Sequence, residues 1–396
     1  MKWSARHLAV VERIAFMKKP FILILSTSGG AGHARAAEAL VQATRSAEFS
    51  VRAEHYDCLD FTSKAFKRLY SQSYLSMVNH LPELWGYLYS QAERKQYSKR
   101  GLLSVFDHFN YQRYLTELSR LKPDAIICTH FLPYISISER ARRKDISAPF
   151  FAVTTDFDVH QLWVDKIISH YYVFQEESAW QLSAKGVPAE KISVTGIPVG
   201  TEFTSTTEKR VARQKLELPT GRFTVLLLSG GFGVGRVEEI VERVSNLLAS
   251  FRRHSFNLLV VCGRNERLRI DLEKRGFPHN IHASIFGYVS NIHDLMDAAN
   301  ILVSKSGGLT SAEAMAKHLP MIIVDPIPGQ ETRNASIILE RGAGLLALDY
   351  HNLQFKLKRV IEDPTLLRDL RESTVSLSRP RAAADIIDDV CARITM

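Results

Sequence analysis

The 396-residue sequence predicts an α/β protein of two doubly wound domains, each built on a parallel sheet. Three observations lead there. Short apolar runs alternate with longer amphipathic segments in two successive series, and helical segments between strands favour parallel pairing. A glycine-rich loop follows the first apolar run of each series. The 45% hydrophobic content, with ordinary Gly and Pro usage, suffices for two domains of about 150–200 residues each.

Taken in order, Met1 to Phe16 carries no motif and precedes Met17-Lys18-Lys19-Pro20, so residues 1–18 read as a dispensable N-terminal extension or an upstream start. The first domain spans 19–204. Its strands are expected at Pro20 to Leu25, Ser50 to Ala53, Ala125 to Cys128, Phe150 to Thr154, Tyr171 to Phe174 and Ile192 to Thr195. Ser205-Thr206-Thr207-Glu208 and Leu218-Pro219-Thr220-Gly221 bracket the linker. The second domain, 205–365, has strands expected at Thr224 to Leu228, Asn257 to Cys262, Ala283 to Phe286, Ile301 to Ser304, Met321 to Val324 and Gly344 to Leu348. Helices at 366–396 are free to cross back to the first domain. Doubly wound sheets bind ligands beyond the carboxyl ends of their strands, so the site belongs in the cleft between the domains.

A net charge of +9 and a pI near 9.3 suit an anionic partner or surface, although a plain basic surface accounts for them equally. Nucleic acid finds no helix-turn-helix, zinc-finger or ribonucleoprotein signature, and the bases are dispersed. Anionic lipid is the other reading. Cys58, Cys128, Cys262 and Cys391 form no C-x-x-C pair, which argues against a zinc site or disulfide framework and fits a reducing cytoplasm. Cys128 and Cys262 sit in apolar runs, as core residues do. No segment approaches the roughly 18 apolar residues that span a bilayer. Glu12 and Arg13 interrupt the N-terminal candidate, which also lacks a small-residue cleavage site.

Three loops carry the chemistry. Ser26-Thr27-Ser28-Gly29-Gly30-Ala31-Gly32-His33 follows the first strand and enters a helix at about Ala34. Ser229-Gly230-Gly231-Phe232-Gly233-Val234-Gly235 follows the first strand of the second series. Either could be a dinucleotide loop, with Glu54 or Asp57 as the acidic partner of the first, but His33 stands where that motif wants glycine. The third run, Lys305-Ser306-Gly307-Gly308-Leu309-Thr310-Ser311-Ala312-Glu313-Ala314, reads as strand, tight turn and helix N-terminus, where free N–H groups and the helix dipole favour phosphate. Glu313 can accept hydrogen bonds from a ribose diol; a carboxylate that merely serves the dipole is the plainer reading. Gln330 and Glu331, delivered by Asp325-Pro326-Ile327-Pro328-Gly329, offer acceptors and donors for sugar hydroxyls. The combination describes a nucleotide-sugar site.

The first loop, the segment Thr154-Thr155-Asp156-Phe157-Asp158-Val159-His160-Gln161-Leu162-Trp163 and the run from Lys305 through Glu331 resemble the diacylglycerol glycosyltransferases. That family comprises the monogalactosyldiacylglycerol synthases of plastids and the processive diacylglycerol glucosyltransferases of bacteria; the peptidoglycan lipid N-acetylglucosaminyltransferase is a more distant relative. The resemblance covers about Lys19 to Ala347. It implies a GT-B fold of two Rossmann-like domains facing across a cleft, an inverting transfer of glucose or galactose from a UDP-sugar to diacylglycerol, no cofactor and no metal. It also implies peripheral attachment to the cytoplasmic face of the cell membrane. Family members often read Gly-Gly-Gly-His where this chain has Ala31 before Gly32 and His33; alanine there requires a negative φ.

By the same resemblance, backbone groups near Tyr288 and Val289 meet the uracil and Glu313 the ribose. Gly230, Gly231, Gly308, Leu309 and Thr310 surround the diphosphate, and Gln330 and Glu331 read the hexose. The acceptor side rests on Gly29, Gly30, Gly32, His33 and Asp156. Attack by a lipid hydroxyl needs a proton acceptor poised near neutrality; His33 is the first candidate, and Asp156 is the alternative base or the group that orients it. His160 and Trp163 are candidates to shape the same pocket. Between Phe61 and Tyr114, the aromatics Phe61, Phe66, Tyr70, Tyr74, Trp85, Tyr87 and Tyr89 are interleaved with Lys64, Lys67, Arg68, Arg94, Lys95, Lys99 and Arg100. That mixture suits an anionic membrane surface, with packing into the domain core as the alternative for about half of them. A UDP-sugar epimerase and a non-enzymatic UDP-sugar sensor are the rival functions.

Overall fold

The computed structural model describes residues 19–28, 30–45, 51–64, 67–68, 70, 77, 81–94, 111–135, 137, 146–229 and 236–395. The expected extension at 1–18, together with Gly29, Gly230, Gly231, Phe66, Tyr74, Lys95, Lys99 and Arg100, lies outside the described residues, as does the Arg94 side chain.

The first sheet contains β1 (Phe21–Ser26), β2 (Arg52–Asp57), β3 (Ala125–Cys128), β4 (Phe150–Val153), β5 (Ile168–Val173) and β6 (Ile192–Val194). All are parallel, in the order β2-β1-β3-β4-β5-β6. Helices α1 (Ala31–Ala43), α2 (Pro82–Arg94), α3 (Tyr111–Leu121), α4 (Leu132–Ile135) and α5 (Glu176–Ala184) accompany it, and α6 (Lys209–Lys215) occupies the linker. The second sheet contains β7 (Phe223–Leu228), β8 (Phe256–Val261), β9 (Ile281–Phe286), β10 (Ile301–Ser304), β11 (Met321–Val324) and β12 (Gly344–Ala347). It is also all parallel, in the order β12-β11-β10-β7-β8-β9. Its helices are α7 (Val237–Ser250), α8 (Glu266–Arg275), α9 (Ile292–Ala298), α10 (Gly308–Ala316), α11 (Gln330–Glu340) and α12 (Tyr350–Glu362). Two more, α13 (Pro364–Leu377) and α14 (Ala382–Thr395), close the chain.

Each sheet is buried on both faces, as parallel sheets require. The C-terminal helix covers the first one: Ala383, Ile386, Ile387, Val390 and Cys391 of α14 share an apolar cluster with Ile22 and Ile24 of β1 and Ala37 and Leu40 of α1. Another cluster runs across the cleft. Phe157 and Phe174, stacked at 3.8 Å between ring centroids, pack with Leu309, Ala312 and Met315 of α10.

Two elements differ from expectation in ways that matter to the site. β2 was expected over Ser50 to Ala53 and runs to Asp57, pairing along the whole of β1 from Phe21↔Arg52 to Ser26↔Asp57. It is an edge strand in which Arg52, Glu54 and Asp57 are interspersed with Ala53, His55 and Tyr56, so hydrophobic periodicity is a poor guide to its end. Helix α1 begins at Ala31 rather than about Ala34, with Gly30 as an extended N-cap at φ −173°. Ala31 is therefore the first helical residue, free of left-handed geometry, and His33 falls in the first turn.

The order of strands reverses direction between β1 and β3 in one sheet and between β7 and β10 in the other. Ligands bind at such crossings.

Candidate functional site: histidines at one strand crossing and carboxylates at the other

The first crossing is furnished with imidazoles. His33 Nδ1 lies 3.0 Å from the Thr129 carbonyl oxygen and 2.8 Å from Thr155 Oγ1. A carbonyl only accepts, so Nδ1 carries the proton and Nε2 is left as the acceptor. The Thr129 hydroxyl closes the arrangement by donating to the His33 carbonyl at 2.9 Å. His130 stands edge-on to His33, centroids 4.6 Å apart, and its Nδ1 accepts from Leu132 N at 3.0 Å. Burial lowers the pKa of both rings, against the opposing charge of Asp156 in the case of His33. Neutral imidazole, the form that accepts a proton, is thus favoured at neutral pH.

The second crossing is furnished with carboxylates. Glu313 is 2% exposed and Glu331 8%, and burial pushes the pKa of each up to about 7. Glu313 lies in the second turn of α10, which has no acidic residue in its first turn, so the dipole-serving reading fails. Its partner is Arg35 of α1, at 2.5 Å. Glu331 accepts from Ile327 N at 2.8 Å, and its carbonyl accepts from Ser306 Oγ at 2.7 Å, which ties the Pro-rich turn to the glycine turn before α10. A solvated loop is excluded for Glu331. Gln330 opens α11 half-buried. Gly329 before it has φ +94°, a left-handed conformation that favours glycine.

The two crossings meet. A Cβ at Gly308 would collide with the Thr155 carbonyl oxygen, and one at Gly32 would sit 3.5 Å from Leu309 Cβ. Glycine at 308 therefore lets the first domain reach the N-terminus of α10, beyond any use in approaching phosphate. Asn334, fully buried on α11, bridges the domains. Its Nδ2 donates to Asp156 Oδ1 and to the Ser306 carbonyl, both at 3.0 Å, and its Oδ1 accepts from Phe157 N at 2.8 Å. Arg333 next to it pairs with Asp158 at 2.5 Å. Burial raises the pKa of Asp156 while the Asn334 bond and the His33 charge lower it.

Other sequence candidates scatter. His160 is buried; its Nε2 faces the Tyr89 carbonyl at 2.9 Å and Glu93 at 3.3 Å, which ties it to α2, and it is near enough for its charge to bear on Asp156. Trp163, 3% exposed, packs in the first domain's core, edge-on to Phe131 and tilted against His130 with centroids 6.5 Å apart. Tyr288 is exposed with Arg264 over its ring, and Val289 is partly buried at the edge of the inter-domain cluster. In the aromatic-basic segment, Phe61 and Tyr114 belong to the first domain's core. Tyr70 packs against a small buried cluster. Lys67 pairs with Asp57 at 2.8 Å and Asp60 at 2.6 Å. Tyr89 packs on His160 and Gly329, while Leu81, Leu84 and Tyr87 are exposed. Among the described residues no helix is long and apolar enough to cross a membrane, and no group of three His, Cys, Asp or Glu could hold a metal ion.

Sequence reasoning missed Arg35, Thr129, His130, Thr155 and Asn334. Thr155 lies in the segment singled out for Asp156, and Asn334 follows Gln330 by one helical turn. These were the available signals.

Comparison with known proteins matches residues 33–199 to the monogalactosyldiacylglycerol (MGDG) synthase model and residues 224–389 to the glycosyltransferase family 28 C-terminal domain. The processive diacylglycerol beta-glucosyltransferase of Bacillus cereus (strain B4264) is 30% identical over 380 residues, 95% of this chain and 94% of its own. Among solved structures, Acinetobacter baumannii MurG superposes with a TM-score of 0.59 at 13% identity, covering 94% of this chain and 99% of its own. The UDP-GlcNAc 2-epimerase of Neisseria meningitidis gives 0.56 at 14% identity, covering 94% and 100%. The architecture is the GT-B fold.

Proposed function

The chain belongs to the diacylglycerol glycosyltransferase family, and we propose that it transfers glucose from UDP-glucose to diacylglycerol with inversion, and adds a second hexose to the product. The observation that carries this reading is the fixed tautomer of His33, whose Nδ1 is engaged by a carbonyl while Nε2 remains a proton acceptor, one residue after the Gly32 that abuts Leu309 of α10. In the step proposed, the lipid hydroxyl gives its proton to Nε2 as its oxygen bonds to the anomeric carbon. The bond from that carbon to the diphosphate breaks, and UDP leaves with the negative charge. In this reading N–H groups of Gly308, Leu309 and Thr310 and the Thr310 hydroxyl meet it. The Asp156 charge favours the imidazolium that forms. Glu313 takes the ribose, the backbone at Tyr288 and Val289 the uracil, and Gln330 and Glu331 the hexose. The reading assigns no metal, the leaving charge being given to helix N–H groups instead.

Glucose is preferred over galactose because the relatives at 30% identity are named glucosyltransferases. An epimerase is disfavoured because likeness to epimerases at 14% identity supports the fold alone. Exposed Leu81, Leu84 and Tyr87, the exposed bases Lys64 and Arg68 and the charge of +9 support peripheral attachment to an anionic membrane surface on the cytoplasmic side. Purified protein incubated in EDTA with diacylglycerol vesicles and either UDP-glucose or UDP-galactose, followed by thin-layer separation, tests the reading. Glycolipid from UDP-glucose is expected. Product from UDP-galactose alone corrects the hexose, and sugar turnover without a lipid product overturns the transferase reading.

A further inference from the structure

Glu313 is held by a residue that belongs to no glycine loop or donor motif. Arg35 lies on α1, two positions after His33 and 278 positions before Glu313 in the chain, and its Nη2 reaches Glu313 Oε1 at 2.5 Å. The helices that carry them touch directly where Gly32 abuts Leu309. We propose that Arg35 is a positioning residue of the donor site, holding the Glu313 carboxylate in place for the nucleotide and tying nucleotide occupancy to the His33 turn of the opposite domain. This rests on the reading of Glu313 as the ribose ligand.

The surroundings make the arginine necessary. The charged groups that face Glu313 are Arg35 from α1 and Glu202 from the 3-10 turn Thr201–Phe203, and the second opposes ionisation. On the helix of Glu313 itself, Lys317 turns away to Asp297 at 2.9 Å. A carboxylate that is 2% exposed with only another carboxylate for company would be protonated at neutral pH and would lose acceptor capacity toward a diol. Arg35 is itself about one-third exposed, at 34% of its side-chain surface. It can therefore be replaced without opening a core cavity. One guanidinium contact occupies one carboxylate oxygen and leaves the other for ribose.

Calorimetric titration with UDP between pH 6.5 and 8.5, on wild type, Arg35→Gln, Arg35→Lys, Glu313→Ala and the Arg35→Gln/Glu313→Ala pair, tests the proposal. Wild-type affinity should rise with pH through about 7 as Glu313 ionises. In Arg35→Gln that rise should move to higher pH, with affinity near neutrality falling about tenfold for each pH unit of displacement. Arg35→Lys should restore the wild-type midpoint, and Arg35→Gln should add nothing once Glu313 is gone. A purely structural arginine would instead change affinity equally at every pH. If Glu313→Ala binds UDP as wild type does, the ribose assignment fails and this inference fails with it. If Glu313→Ala weakens UDP while Arg35→Gln keeps the wild-type midpoint, the inference on Arg35 alone is overturned.

Discussion

The two crossings use the same sheet geometry for opposite chemistry. Around β1 and β3 the buried groups are imidazoles and threonines, with His33 and His130 kept neutral. Around β7 and β10 they are carboxylates, with Glu313 and Glu331 driven up to about 7. Burial is the shared cause, and it neutralises whatever is buried. On the first side neutrality suits the base proposed at His33, because a base must be unprotonated to act. On the second it is a cost relieved by partners: Arg35 for Glu313, and for Glu331 the Ile327 N–H and the charge of Lys305. The lesson is that a doubly wound crossing supplies position, whereas the partner of each buried group decides its chemistry.

The comparison breaks most visibly at His33. His33→Ala should reduce transfer by about 10²–10⁴-fold, the range for a lost general base, and leave UDP affinity as in wild type. Steady-state transfer alongside UDP calorimetry checks this; near-normal turnover would mean that the first crossing holds no base.

A second, smaller effect separates functions within the carboxylate side. Gln330→Ala and Glu331→Ala should spare UDP and weaken UDP-hexose by about 1–3 kcal/mol, the cost of unpaired hydroxyl contacts. Equal losses for UDP and UDP-hexose would place these residues on the nucleotide instead of the sugar.

The smallest effect concerns Asp156, which stands between the two sides. Its charge raises the His33 pKa against burial, and the net shift is downward from 6.5. The acid limb of kcat/KM for diacylglycerol, read at saturating UDP-glucose so that the ionisation of Glu313 does not enter, should accordingly lie below pH 6.5, and Asp156→Asn should move it lower still, because removal of a nearby negative charge destabilises imidazolium. A limb that moves upward in Asp156→Asn would reverse the assigned coupling.

Much of the fold was legible in the sequence. Runs such as Ile301–Ser304 and Met321–Val324 matched the observed strands to the residue, because a central parallel strand is apolar on both faces. β2 was misplaced because an edge strand need not be. The start of α1 was misplaced because Ala31 and Gly32 look like a continuing glycine loop until Gly30 is seen to act as the N-cap.

At the site, the sequence by itself determined which residues cluster by local pattern: His33 after the first strand, Glu313 after the glycine turn, and Gln330 and Glu331 after Pro328-Gly329. Only the tertiary structure decided their partners. Arg35 meets Glu313 across 278 positions and Asn334 meets Asp156 across 178, while Thr129, 96 residues from His33, fixes which imidazole nitrogen can act. Periodicity and turn chemistry are properties of neighbouring residues. Burial and pairing are set by elements brought together from distant parts of the chain. For that reason the sequence could name the ionisable groups, but the fold determined their protonation and orientation.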